Sequence, residues 1–401
     1  MVDVFRARWV LPIAQPPIHD GWVAVQDGRI AEVGEGRGPA GGDDLGNVAI
    51  LPGLVNAHTH LELSYLHGRI PPTWSFTPWV RDVIRMRLEY PDPSHPDILA
   101  AARRAIDDAR AAGTSLFGDI SNTLATVPLL RDAGIPARVF YELIGFSEVD
   151  HDARVRDARA RVEASDYGNP SIRISLAPHA TYSVSAAMFR AIRADLDRHP
   201  DDVSSVHLGE ASEEAELLRD GCGQIRDLLQ SIGRWPEGWR PPGVAPVPYL
   251  ADLGVLDART LVVHGVQFDE SDLRRLKSLG ATIVSCPRSN VYVGVGSPPL
   301  DAFYNARVPV AFGTDSLASV ADLNLFAELR EARRIAPRVT ARRLLESATL
   351  VAARALGFGN EFGSIEPGKR ADLIAVDIGD DATDVEEYLV SGIQPSDVSW
   401  L

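Results

Sequence analysis

The sequence predicts an α/β fold: a (β/α)8 TIM barrel with a small composite β-sandwich domain formed by both chain ends. Three observations carry that expectation. From about residue 51, eight short apolar runs alternate with longer amphipathic stretches, the pattern of parallel strands joined by crossover helices. The first 50 residues read instead as short β segments around a tight turn, and β character returns after about residue 360. Residues 1–50 and 360–401 are therefore expected to form the discontinuous small domain, and 51–359 the barrel.

The N-terminal unit contains FRARWVL, then GWVAVQDGRIAEVG with Asp27-Gly28 as a hairpin signal, then NVAI. The eight runs are ILPGLVNAHTH (50–60), GTSLFGDI (113–120), ARVFYELIG (137–145), SIRISLAPH (171–179), SSVHLGE (204–210), TLVVHG (260–265), TIVSCPRSN (282–290) and VPVAFGTDS (308–316). Eight strands close a barrel of this kind. Between them ILAAARRAIDDARAAG, SEEAELLRDGCGQIRDLLQSI and SDLRRLKSLG read as helices that end near glycine. After the eighth run, ADLNLFAELREARRI and TARRLLESATLVAARALG are two more, and GSIEPGKRADLIAVDI returns to β. Arg234 to Tyr249 holds five prolines and two tryptophans. It is expected as an ordered loop over the barrel mouth, with a linker as the alternative.

Composition narrows the function. The chain has 401 residues, 45% hydrophobic and 24% charged, which excludes disorder and fibres. With 40 Lys plus Arg against 55 Asp plus Glu, the net charge of -15 disfavours nucleic acid and acidic membranes as partners. Cys222 and Cys286 are the only cysteines and read as free thiols in a reducing cytoplasm. The N-terminus lacks the apolar core of a signal peptide, and no stretch of about 18 apolar residues occurs, so a cytoplasmic protein is expected.

Asn56-Ala57-His58-Thr59-His60 ends the first run. In a strand, residues two apart point to the same side, so His58 and His60 face one spot at the C-terminal mouth. Such a pair alone is as well read as incidental. However, five of the ten histidines fall at predicted strand ends, His179, His207 and His264 being the others, and the eighth run ends in Gly313-Thr314-Asp315-Ser316. Barrel active sites are built at that face. Three neutral imidazoles and a carboxylate suit zinc or ferrous iron with a position left open for water. Imidazole and carboxylate accept manganese as well.

The stretches LPGLVNAHTHLELS, APHATYSVS, HLGEASEE, VVHG, SCPRSN, FGTDS and GSIEPGKRADLIAVD resemble, in order and spacing, the amidohydrolase superfamily. The branch is that of cytosine deaminases, adenosine-type deaminases and triazine chlorohydrolases. The resemblance implies His58, His60, His207 and Asp315 as ligands of one divalent metal ion, zinc in the first place, and a homodimer. Many superfamily members bridge two metals with a carboxylated lysine ending the fourth strand. Lys277 and Lys369 are the only lysines here, and both lie elsewhere, so a mononuclear centre is expected.

In that setting a bound metal makes hydroxide available near neutral pH, and Asp315 ligates and accepts the water's proton. Glu210, three residues after His207, matches the family's proton-moving glutamate, with Glu213 and Glu214 as competitors and a helix-first-turn role as the plain alternative. His264 holds or polarises the hydroxide. His179 matches a substrate-binding histidine of methylthioadenosine and adenosylhomocysteine deaminases. Arg69, Trp74 and Trp79 in the region after the first strand, and Arg288, Ser289 and Asn290 ending the seventh, are expected around the substrate; for the tryptophans, rim packing is an equal reading. NAHTHLELS, HGRIPP and SCPRSN together with the compact length most resemble aminodeoxyfutalosine deaminases, which act in menaquinone biosynthesis. The benzoate of their substrate calls for a cation, with Arg69, Arg81, Arg85 and Arg288 as candidates. Deamination of methylthioadenosine, adenosylhomocysteine or adenosine, a triazine-type hydrolysis, and a metal-free scaffold are the alternatives.

Overall fold

The computed structural model describes residues 2–165, 168–380 and 382–401. All eight apolar runs form strands, and they assemble into two four-stranded parallel sheets in chain order. One sheet holds Leu54–Thr59, Thr114–Ser121, Ala137–Leu143 and Ile172–Pro178. The other holds Ser204–Leu208, Thr260–His264, Thr282–Ser285 and Val310–Phe312. Most of these strands are buried along their whole length, which is why the sequence shows apolar runs rather than alternation.

The sheets are tied to each other where their strands end. His207 N donates to His179 O at 2.9 Å, and Asp315 N donates to His58 O at 3.0 Å. Side chains from strands of both sheets, among them Val55, Leu116, Phe140, Leu261, Val284 and Ala311, pack into one apolar cluster. Ala352, Leu356 and Phe358 join that cluster from the C-terminal side of the chain. The first strand has no room on either flank. A Cβ on Gly118 would lie 2.3 Å from Ala57 O, and one on Gly313 would lie 2.6 Å from His58 O.

Both chain ends meet in a third, seven-stranded sheet. Leu373–Asp377 pairs antiparallel with Val48–Pro52, and Val398–Trp400 adds at the edge. The hairpin Ile18–Gln26 and Arg29–Glu35 turns through Asp27 at φ 52° and Gly28 at φ 72°, the left-handed pair that a two-residue turn of this hand requires. The long amphipathic stretch after the fifth strand divides into Ser212–Asp220 and Gln224–Ser231. Gly221 at φ 68° and Gly223 at φ 92° end one helix and start the next. TARRLLESATLVAARALG likewise gives two helices, Ala341–Ser347 and Leu350–Ala355. Among the described residues no helix is long and apolar enough to cross a membrane.

Candidate active site

His58, His60, His207, His264 and Asp315 converge at one end of the two parallel sheets. His60 Nε2 lies 3.5 Å and His58 Nε2 lies 3.9 Å from Asp315 Oδ1, and His60 Nε2 lies 3.3 Å from His207 Nε2. Candidate ligand atoms of His58, His60 and Asp315 fall within 4.8 Å of one another, as do those of His58, His207 and His264. His58 is completely buried, yet neither of its ring nitrogens has a hydrogen-bond partner. An unpaired buried polar group costs about 1–3 kcal/mol, and a cation among these rings removes that cost for the nitrogen it takes.

The rings hold the form a metal needs. Burial, reinforced by the neighbouring imidazoles, holds His58 and His264 well below the usual histidine range, and burial brings His60 down to about 3 and His207 to about 4. All are neutral at pH 7. Burial pushes the Asp315 carboxyl up; a cation beside it is the charge that reverses this. The donor set therefore fits a divalent metal. His264 and Asp315 both take left-handed backbone, φ 76° and 60°, strain of order 1–3 kcal/mol each that clusters at functional sites.

Glu210 follows the fifth strand through Gly209, whose φ is 63° and whose Cβ would strike the Phe268 ring. The turn leaves Glu210 buried, with Oε1 3.6 Å from His264 Nε2. Burial first, and the nearby Asp315 and Glu214 next, push its carboxyl well above the usual range, which favours the protonated form. The competing Glu214 is occupied, accepting from Thr181 Oγ1 at 2.5 Å and from Gly209 N at 2.7 Å. Glu210 faces the cavity; Glu213 and Glu214 do not.

That cavity is about 810 Å³. His60, His179, His207, Glu210, His264 and Asp315 line it together with apolar walls that include Phe76, Trp79, Phe146 and Leu229. Trp235 and Trp239 pack on Phe146 with ring centroids 6.1 and 5.5 Å away, and Arg234 reaches the cavity, so the start of the proline-rich segment borders the cavity, whereas its end is not loop but the first turn of the helix Pro246–Asp252. His179 is set by Ser183, Nδ1 to Oγ 2.5 Å.

Several residues expected around the substrate lie elsewhere. Arg69 pairs with Glu89 at 2.8 Å, Arg85 pairs with Asp82 at 3.2 Å, and Trp74 is 99% exposed. Arg288 is clamped by Glu328 at 2.7 Å and Asp322 at 2.8 Å. None of these, nor Arg81, lines the cavity. The seventh strand stops at Ser285, and Pro287–Tyr292 is a short helix. It turns Ser289 and Asn290 behind the site, where Ser289 Oγ donates to Asp315 Oδ2 at 2.6 Å and Asn290 Nδ2 lies 3.0 Å from His264 Nδ1.

The cavity instead takes Arg87, Arg154 and Arg234, and with them Glu142. Glu142 Oε1 is 3.5 Å from His207 Nδ1 and its Oε2 accepts from Asn122 Nδ2 at 2.8 Å. The signal for Glu142 was present: a carboxylate inside the otherwise buried run ARVFYEL.

Comparison with known proteins gives the same class. The amidohydrolase family model matches residues 49–394. A 5-methylthioadenosine/S-adenosylhomocysteine deaminase of Halobacterium salinarum is 31% identical over 374 residues, 90% of this chain and 80% of that one. An aminodeoxyfutalosine deaminase of Deinococcus radiodurans is 31% identical over 331 residues, 80% of this chain and 76% of that one. A crystal structure of an adenosine deaminase from Xanthomonas campestris with bound zinc superposes with a TM-score of 0.82 at 28% identity, covering 98% of this chain and 90% of that one. Fold, site and relatives define a metal-dependent hydrolytic deaminase. The chain belongs to the amidohydrolase family.

Proposed function

We propose that the protein removes the 6-amino group from the adenine of a nucleoside, with aminodeoxyfutalosine as its substrate. The observation that carries the reaction is Glu210, buried with Oε1 3.6 Å from His264 Nε2, at the cavity wall shared with His60, His207 and Asp315. Attack on an adenine ring needs a proton on the nitrogen beside the attacked carbon, and Glu210 supplies it.

His58, His60, His207 and Asp315 hold one divalent metal, zinc in the first place, and iron or manganese suit the same ligands. The bound ion supplies an activated water near neutral pH. With the ion bound, Asp315 would accept a proton from that water and His264 would hydrogen-bond the attacking oxygen. Glu210 protonates the ring nitrogen and later serves the leaving amine. A C–O bond forms at the amino-bearing carbon, the C–N bond breaks and ammonia departs.

An anionic tail is supported by Arg154 and Arg234, which line the cavity with no side-chain partner among the described residues. They replace the arginines expected from sequence as partners for a carboxylate. A second reading, deamination of methylthioadenosine or adenosylhomocysteine, is favoured by the relative of that name that aligns over 90% of this chain. We further infer that the two four-stranded sheets close as one barrel over 51–359, that 1–50 and 360–401 form the small domain, and that the protein is a cytoplasmic homodimer.

Ammonia release by zinc-loaded protein, measured on aminodeoxyfutalosine, methylthioadenosine, adenosylhomocysteine and adenosine, tests the substrate. The highest kcat/KM is expected for aminodeoxyfutalosine. A simpler nucleoside winning would replace the substrate, and silence on the whole panel would overturn the nucleoside reading.

A further inference from the structure

Four histidines crowd the centre, and of the four triads of candidate ligand atoms among the described residues two include His264 and two leave it out. What His264 presents to the cavity depends on which of its nitrogens carries the proton. Its Nδ1 meets the side-chain amide of Asn290 at 3.0 Å, and both residues are completely or almost completely buried. Two arrangements satisfy that contact. Either the amide donates to a bare Nδ1, leaving the proton on Nε2, or a protonated Nδ1 donates to the amide oxygen, leaving Nε2 as a lone pair.

The surroundings of Asn290 separate the two. As placed, its amide nitrogen faces His264 and its Oδ1 is buried without a partner. Reversing the amide satisfies that oxygen but strands an NH2 group, with two hydrogens, in the same dry position. A buried acceptor left unpaired is tolerated more readily than a buried donor. The donating arrangement is therefore the one the packing favours.

We propose that Asn290 is a positioning residue that fixes His264 in its Nε2–H tautomer, making His264 a hydrogen-bond donor toward Glu210 and the cavity, the form in which it stays outside the ligand set given above. The assignment rests on the metal-centre reading above and refines it, because it separates His264 from His58, His60 and His207. The left-handed φ of 76° at His264 and the helix Pro287–Tyr292 that follows the neighbouring strand bring the two side chains face to face.

The test is direct. Two-bond nitrogen–proton correlation spectra of protein labelled with 15N at histidine distinguish the two tautomers of a neutral ring. Wild-type protein, with His264 identified by the signal missing from His264→Gln, is expected to show the Nε2–H form. Asn290→Asp puts an acceptor against Nδ1 and is expected to reverse the tautomer, to keep stoichiometric zinc, and to lower kcat at least 10-fold on whichever nucleoside the wild type turns over. An Nδ1–H ring in the wild type overturns the proposal, as does an unchanged Nε2–H ring in a folded Asn290→Asp protein. Loss of zinc in His264→Gln overturns the exclusion of His264 from the ligands. These readings stand apart from the substrate. If no nucleoside is turned over, the functional reading fails while the spectra still decide the tautomer.

Discussion

His207 lies with Nδ1 3.1 Å from the carbonyl oxygen of His179, and its Nε2 stands 3.3 Å from Nε2 of His60. A carbonyl only accepts, so Nδ1 of the neutral ring carries the hydrogen and Nε2 is a bare lone pair aimed at the other histidines. The residue that follows the fourth strand thus sets the ring of the fifth.

Removing a ligand should empty the centre. His58→Ala and Asp315→Ala are expected to lose stoichiometric zinc and with it all measurable turnover, while circular dichroism stays that of the wild type. Metal analysis after dialysis checks this, and full zinc in either variant would reject the ligand set.

Glu210→Gln separates proton transfer from metal binding. It is expected to keep zinc and to lower kcat by about 100-fold to 10,000-fold, the range for losing a general acid or base. Steady-state kinetics alongside metal analysis decides; unchanged turnover would leave Glu210 as a structural residue only.

Arg288 should matter to the fold and not to the substrate. Its guanidinium is paired with Glu328, which is completely buried and pushed up by burial to about 7 even with that partner. Arg288→Ala strands the carboxyl and is expected to destabilise by roughly 3 kcal/mol, the lower end for breaking a buried pair. Denaturant unfolding measures the loss, and KM should stay at the wild-type value; a raised KM with normal stability would return Arg288 to the substrate.

Asp119 gives a pH dependence of stability. It is completely buried, and burial pushes it up to about 8 although Thr126 Oγ1 and Leu61 N donate to it at 2.6 and 2.9 Å. An acid raised in the folded state favours the folded state fully below its unfolded value near 3.9, and that contribution fades as pH rises through about 8. Asp119→Asn removes this part of the slope. Its unfolding midpoint is expected to fall less than that of the wild type between pH 4.5 and pH 8.5, and parallel profiles would refute the assignment.

All eight parallel strands were legible because a strand buried on both faces must be apolar throughout, and the runs stand out between polar helices. The histidines were legible for a related reason: polar rings at the ends of apolar runs have no packing role there. What escaped was direction. SCPRSN reads as the continuation of a strand, in which alternate residues would face the cavity. Proline at position 287 instead starts a helix, so Ser289 and Asn290 approach Asp315 and His264 from behind. Arginine gave the least information, since 38 of the 40 basic residues are arginine and nothing in the sequence separates Arg69, held by Glu89, from Arg154, which faces the cavity. For the small unit, the Asp27-Gly28 turn was plain, whereas the pairing of Leu373–Asp377 with Val48–Pro52 joins segments over 300 residues apart, beyond the reach of local periodicity.

Gly118 and Gly313 press against the backbone of Ala57 and His58 from either side, and this decides where the molecule has freedom to change. The strand bearing the two leading histidines sits like a key in a slot, unable to shift sideways without carrying both neighbours. Other parts of the cavity wall, at the exposed Ile144, Val149 and Ile232, have no such restraint. Chemistry is thereby locked into the frame while selectivity is left to the rim, so a lineage can exchange the molecules it accepts without rebuilding the machinery that acts on them.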